Sequence, residues 1–221
     1  MDFWSPIYLT LKLATVTTII LVALGIPTAL LLSRCKHSIR SPIESLITLP
    51  LILPPSVLGF YLLIALSSQG PLEGMYRLFG IEPLAFTFGG LVLGSVFYSL
   101  PFAIQPMINS FSEVGEMPSM VGASLRAGPL KRFFTIHLPL AKRGILTGTV
   151  MAFAHTVGEF GVVLLIGGNI PGQTRLISIA IYDQVETLNF TQAHQLSGLL
   201  LAFSFVVLLA VSLINRPGRP I

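Results

Sequence analysis

The sequence predicts an all-α integral membrane protein with about five transmembrane helices, and three observations carry that prediction. Of 221 residues, 53% are hydrophobic and only 10% charged, with a mean hydropathy of +0.83, whereas an ordinary soluble domain carries about a quarter charged residues. Apolar runs of the length that crosses a bilayer as a helix recur at about 7–32, 43–66, 86–107, 144–168 and 196–214. The basic residues behind the net charge of +4 gather in short clusters beside those runs. That arrangement reads as topology signalling and not as a phosphate-binding face, so no nucleic-acid partner is expected. The whole of 1–221 is read as a single domain.

The first run, from about Ile7 to Leu32, is interrupted only by Lys12, whose ammonium can snorkel to the interface. The opening MDFWSPIY has no basic n-region and the run is too long for a signal h-region, so a retained first span is expected. The loop SRCKHSIR holds the lone Cys35, which excludes an intrachain disulfide, and no Cys/His set has metal-ligand spacing. The second run contains Pro50, Pro54 and Pro55. Lipid tolerates such prolines where neighbouring groups re-satisfy the freed carbonyls, which suggests a broken helix lining a pathway. A mixed loop follows, with a short interfacial helix expected around Glu73–Phe79.

After the third run, residues from about 110 to 142 form the longest polar stretch. The fourth run carries His155 and Glu159, costly at that depth unless partnered or wet. Leu176–Tyr182 is apolar but too short to span, and is expected to be re-entrant or interfacial.

Five spans put the two ends on opposite sides. The loops after the first and third spans, with the C-terminus, hold ten of the 13 Lys+Arg: Arg34, Lys36, Arg40, Arg126, Lys131, Arg132, Lys142, Arg143, Arg216 and Arg219. Only Lys12, Arg77 and Arg175 lie opposite. The positive-inside rule then puts the N-terminus outside and the C-terminus in the cytoplasm. There is no G-x4-G-K-[ST], G-x-S-x-G, H-E-x-x-H or paired-carboxylate pattern, so a non-enzyme subunit is expected. No internal repeat is visible, which counts weakly against an inverted-repeat secondary transporter.

The polar stretch contains MVGASLRAGPLKRFFTIHLPLAKRG. Gly128 followed by Pro129 should stop one short helix and start another. Met120, Val121 and Leu125 would then share one side, with Lys131, Arg132 and Phe134 available to headgroups or a partner. The plainer alternative is a solvated basic loop that only sets topology.

This stretch resembles the cytoplasmic signature loop of ABC importer permeases, E-A-A-x3-G-x9-I-x-L-P. The frame falls on Met120, Val121 and Gly122, then Arg126, then Ile136, Leu138 and Pro139. Met120 stands where that family has Glu and Arg126 where it has Gly, and Gly128 is available to take over the turn two residues later. TLPLILPPSVLGFYLL, FTFGGLVLGSVFYSLPFAIQPM and AFAHTVGEFGVVLLIGGNIPGQTRLISIAIYDQVE resemble the corresponding stretches of molybdate permeases. There G-E-F-G and N-I-P-G-x-T-R are the most specific motifs, and the likeness covers about Ile7 to Phe205. Sulfate permeases carry related versions.

The resemblance implies a type I ABC importer permease fold in the plasma (inner) membrane of a prokaryote. It implies a homodimer, two cytoplasmic ABC ATPase subunits and an extracytoplasmic oxyanion-binding protein, with ATP-Mg bound by the partner ATPase and no cofactor on this chain. The residues of the signature frame, with Leu125 and Gly128, would form the coupling loop that docks on the ATPase.

A tetrahedral dianion needs hydrogen-bond donors without a tight cationic trap. Ser56 beside Pro54 and Pro55, with Gly158 and Gly161, are candidates to line its path, although glycines in membrane helices also serve close packing. Glu159 repels an anion, so a gate or structural role is expected, with His155 one helical turn earlier as a candidate partner. Arg175 is a candidate contact for the binding protein, an anion-attracting group or an ordinary loop arginine. The competing readings are a sulfate or tungstate importer, a stand-alone secondary anion transporter working through His155 and Glu159, and a membrane enzyme, for which no clustered polar site is visible.

Overall fold

The computed structural model describes residues 4–214, and among them every regular element is helical. Arg216 and Arg219 of the charge count lie outside the described residues. The long apolar runs form α1 (Trp4–Arg34), α5 (Phe88–Val114) and α12 (Phe190–Ile214). All three are long and apolar enough to cross a membrane.

The second and fourth runs are not single rods. The second is α2 (His37–Ile52) followed by α3 (Pro55–Leu66), bent by 108°. Leu53, ahead of Pro54, is held extended at ψ 134°, because the proline ring disfavours helical backbone in the residue before it. Pro55 then opens α3 at a position where a missing N–H costs nothing. At 12 residues, α3 is about 18 Å long and cannot cross alone. The fourth run is α9 (Lys142–Gly158) and α10 (Gly161–Gly167), bent by 60°. Between the first two runs and α5 lies α4 (Glu73–Phe79), the expected short helix, closed by Gly80 in the left-handed region at φ 62°.

The body of the fold is α1, α5 and α9, packed around Leu21, Ala29, Ile104, Met107, Ile108 and Ala152. Their approach is close because α9 presents Gly144 and Gly148, one turn apart, to α5. A Cβ on Gly148 would lie 2.3 Å from the Ala103 carbonyl oxygen, and one on Gly144 would lie 2.4 Å from that of Pro106. Without lipid-excluding force between apolar helices, such small-residue contact is a main source of attraction.

The two short half-helices interlock. A Cβ on Gly161 would meet Pro55 Cβ at 2.6 Å, and one on Gly59 would meet Leu165 Cδ1 at 2.9 Å. Leu66, Val162 and Ile166 fill the seam. The half-length piece becomes α11 (Ile177–Glu186), tied to α1 where the Ile177 N–H donates to Thr10 Oγ1 at 2.8 Å. α12 packs along α9 and α11 with only 6% of its most apolar window buried.

Candidate functional site

The polar stretch after α5 folds into α6 (Met117–Ser124), α7 (Pro129–Arg132), a π-helical turn (Phe133–His137) and α8 (Leu138–Leu140). α6 ends in a Schellman motif: the Arg126 N–H donates to the Ala123 carbonyl at 2.9 Å, and the Ala127 N–H to the Gly122 carbonyl at 3.0 Å. The motif needs a left-handed residue, and Arg126 takes it at φ 60°. Gly128 does not take over the turn as expected. It is extended, at φ −62° and ψ 163°, and leads into α7. The left-handed turn thus sits at Arg126, the position where the signature pattern has glycine. A left-handed conformation costs a side-chain-bearing residue about 1–2 kcal/mol. Arg126→Gly is therefore expected to leave the loop intact and to hold or raise the thermal midpoint, read by differential scanning fluorimetry.

Gly122 seats α6 on the rest of the loop. A Cβ there would stand 2.7 Å from Ile136 Cδ1, so the first and third parts of the signature frame meet at this glycine. Met120, Val121 and Leu125 are 64%, 56% and 79% exposed. Leu138 is half-buried and Pro139 exposed behind them.

The loop is bolted to α1 by Arg34, whose Nη2 lies 2.6 Å from Nε2 of the buried His137. Burial, then the Arg34 and Arg132 guanidiniums, hold this imidazole below its ordinary pKa of 6.5. The unfolded chain takes up that proton first as pH falls. This contribution to stability is therefore complete above the ordinary value and is lost progressively below it. A falling thermal midpoint below pH 6.5 is expected, and His137→Gln, which keeps an acceptor without titrating, should flatten the fall.

The second candidate region is a cavity of about 450 Å³ where the α9–α10 break faces α3 and α5. Pro55, Gly158, Glu159 and Gly161 line it together with Tyr98 and His155. Pro54 and Ser56 sit nearby on exposed backbone but are not part of its wall. Gly158 faces open space: a Cβ there would meet nothing within 4 Å.

Glu159 and His155 are not partners. The helix stops at Gly158, and Glu159 is extended at φ −70° and ψ 140°, so the one-turn spacing that would join them does not exist. Each turns instead to α5. Ser95 Oγ donates to Glu159 Oε2 at 3.3 Å, while His155 Nδ1 lies 2.9 Å from Ser99 Oγ. The Glu159 carbonyl also accepts from Ser178 Oγ at 2.5 Å, which fastens the break to α11. Ser95, Tyr98 and Ser99 did not stand out in the sequence. The signal for the two serines was their spacing of four, which places both on one face of α5.

Arg175 is engaged at both ends of its guanidinium. Nε donates to Asn169 Oδ1 at 2.7 Å and Nη1 pairs with Asp183 Oδ2 at 3.5 Å. Thr174 Oγ1 closes the same loop by donating to the Gly167 carbonyl at 2.6 Å and accepting from the Ile170 N–H at 3.0 Å. N-I-P-G-x-T-R is thus a self-braced turn between α10 and α11.

The chain as a whole is similar to known proteins. Residues 14–216 match the family described as "Binding-protein-dependent transport system inner membrane component". The molybdenum transport system permease protein ModB of Azotobacter vinelandii is 50% identical over 207 residues, covering 94% of this chain and 92% of that protein. ModB of Escherichia coli (strain K12) is 37% identical over 185 residues, 83% of this chain and 80% of that one. The sulfate transport system permease protein CysT of Synechocystis sp. is 30% identical over 196 residues, with coverage of 89% and 68%. In three dimensions the chain is similar to a bacterial ABC transporter involved in import of the acidic polysaccharide alginate. The TM-score is 0.78 at 16% identity, covering 99% of this chain and 81% of that one, so the likeness is one of fold. A multi-helix membrane chain with this fold and this match over most of its length belongs to the inner-membrane components of binding-protein-dependent transport systems.

Proposed function

We propose that this chain is the permease subunit of an ATP-driven ABC importer and that it passes molybdate across the membrane. The observation that carries the reading is the short, water-facing apolar helix α6, seated through Gly122 at the end of the bundle where the basic residues cluster. An exposed apolar face on a helix of eight residues suits docking in a groove, and a rigid helix in a groove passes force as one body. The 50% identity to a molybdenum permease supports the substrate, and the 30% identity to a sulfate permease makes sulfate, and with it tungstate, the alternatives.

In this reading the loop of about 110–142 faces the cytoplasm, as does the C-terminus, and two ATPase subunits hold the ATP-Mg. Two copies of the chain enclose the path, since five spans are few to surround it. An extracytoplasmic binding protein delivers the anion, and closure of the ATPases draws the two α6 helices together and opens the cavity outward. Arg175, braced against Asn169 and Asp183, holds the shape of an outer turn suited to contact with that binding protein.

The test is ATPase activity of the chain co-assembled in lipid with its ATPase and binding protein. Stimulation by molybdate-loaded binding protein and not by sulfate is the expected result. Stimulation by sulfate alone would keep the class and replace the substrate. Normal transport after deletion of 129–139 would overturn the assignment of the loop.

A further inference from the structure

A hydroxyl has one hydrogen to give, and counting hydrogens beside the cavity points to where His155 carries its own. Thr156 spends its hydrogen on the Ala152 carbonyl at 2.9 Å. Its oxygen lies 2.9 Å from Ser99 Oγ, so at that contact Ser99 is the donor. Ser99 then has no hydrogen left for His155 Nδ1, which stands 2.9 Å away. In this arrangement the ring donates from Nδ1 to Ser99. A neutral imidazole has one N–H, which leaves Nε2 as a bare lone pair. The ring cannot easily turn away, with Phe102 stacked on it at 3.9 Å and Tyr98 tilted against it at 4.9 Å.

This polarity is wrong for an anion. The titratable groups facing the cavity are His155 from α9, Tyr98 from α5 and Glu159 from the break, while α3 contributes Pro55. Nε2 presents a lone pair, and the Glu159 carboxyl already accepts from Ser95. The Tyr98 hydroxyl is a donor at the cavity wall. An oxygen of an anion placed beside Nε2 meets lone pair against lone pair unless a hydrogen lies between them.

We propose, resting on the oxyanion-import reading above, that the cavity takes up its anion together with one proton, shared between His155 Nε2 and an anion oxygen. The proton arrives from cavity water or on the anion in its hydrogen-bearing form, and the bound species is the same in either case. Only an N–H or O–H bond is made or broken, and no electrons are transferred. On release the proton leaves with the anion or returns to water, and Nε2 is again unprotonated. Such a site carries positive charge only while it is loaded, so it binds without retaining its cargo.

The test uses the complete complex in lipid, with 15N-histidine in the permease and His155 assigned by its loss in His155→Gln. The expected resting ring is neutral and protonated on Nδ1, and millimolar molybdate should protonate Nε2. In the same proteoliposomes, wild-type uptake should rise severalfold as the outer pH falls from about 8 to about 6, because each anion is bound together with one proton. His155→Gln, whose amide N–H donates without a proton from solvent, should lose that slope. Should His155→Gln fail to assemble, Ser99→Ala is the second variant: freed of its acceptor, the ring can carry hydrogen on Nε2 and the slope should flatten while uptake persists. A resting ring protonated on Nε2, or equal slopes in wild type and variants, overturns the proposal. No oxyanion uptake by the wild-type complex at any pH overturns the import reading, and this inference with it.

Discussion

Gly158→Leu is expected to stop uptake and to leave the bundle standing. The residue closes α9 at the edge of the cavity, and no atom lies within 4 Å of where its Cβ would be. A leucine there grows into the space of about 450 Å³ between Pro55, Tyr98 and His155, where it excludes both water and anion. Molybdate uptake should fall more than about tenfold, equivalent to at least about 1.4 kcal/mol in the barrier. The thermal midpoint should hardly move, because no packed neighbour is displaced and such substitutions change stability by about 0.5 kcal/mol or less. Gly161 makes the contrast. It lines the same cavity, but a methyl there would press on Pro55 at 2.6 Å, so Gly161→Ala should disturb the α3–α10 seam before it narrows the path. Unchanged uptake by a well-assembled Gly158→Leu complex would remove the cavity from the transport route.

The second large effect is on assembly. Gly148→Ile places its Cβ 2.3 Å from the Ala103 carbonyl oxygen and also crowds Met107 Cε at 3.3 Å. The first of these is backbone inside the α1–α5–α9 body and has no rotamer to escape into. Overpacking a tight core costs about 1–3 kcal/mol and occasionally more, and a clash with backbone belongs at the upper end. The expected outcome is a thermal midpoint lowered by many degrees and loss of the monodisperse peak in size-exclusion chromatography. Gly198→Ala is the control, since α12 leaves nothing within 4 Å of that position. A Gly148→Ile protein as stable as that control would mean that α5 and α9 are not held together at this crossing.

Where the sequence carried a strong local rule, the structure was legible in advance. Pro54 and Pro55 break their run because two successive prolines remove two N–H donors and disfavour helical backbone in the residues before them, whereas the single prolines Pro27, Pro42, Pro50, Pro101 and Pro106 are carried inside helices. The short helix at Glu73–Phe79 is bounded by Gly80 for the same kind of reason. The break at Glu159 has no proline to announce it, and continuing the helix through Gly158 produced a His155–Glu159 pair that the extended backbone does not allow. At Arg126 a rule of residue type gave the wrong residue. Hydrogen bonds from two successive N–H groups hold the left-handed turn where a glycine would be expected, and they outweigh the preference of the side chain. The serines of α5 were invisible for a different reason. Hydroxyls in an apolar helix commonly bond their own backbone, and only the path of α9 across that face reveals which ones reach a neighbour.

The unequal lengths and holdings of the long helices bear on the membrane itself. With 31 residues, α1 is about 46 Å long, and the 25 residues of α12 measure about 37 Å, against roughly 30 Å of hydrocarbon. A helix longer than the oily layer must lean or thicken its surroundings. The lean of α1 is dictated by α5 and α9, which grip it along its length. α12 has few such ties and can change its angle at little cost in packing. A change in acyl-chain length would therefore be absorbed at the periphery by α12, while the geometry around His155 and Gly158 stays as α5 and α9 set it.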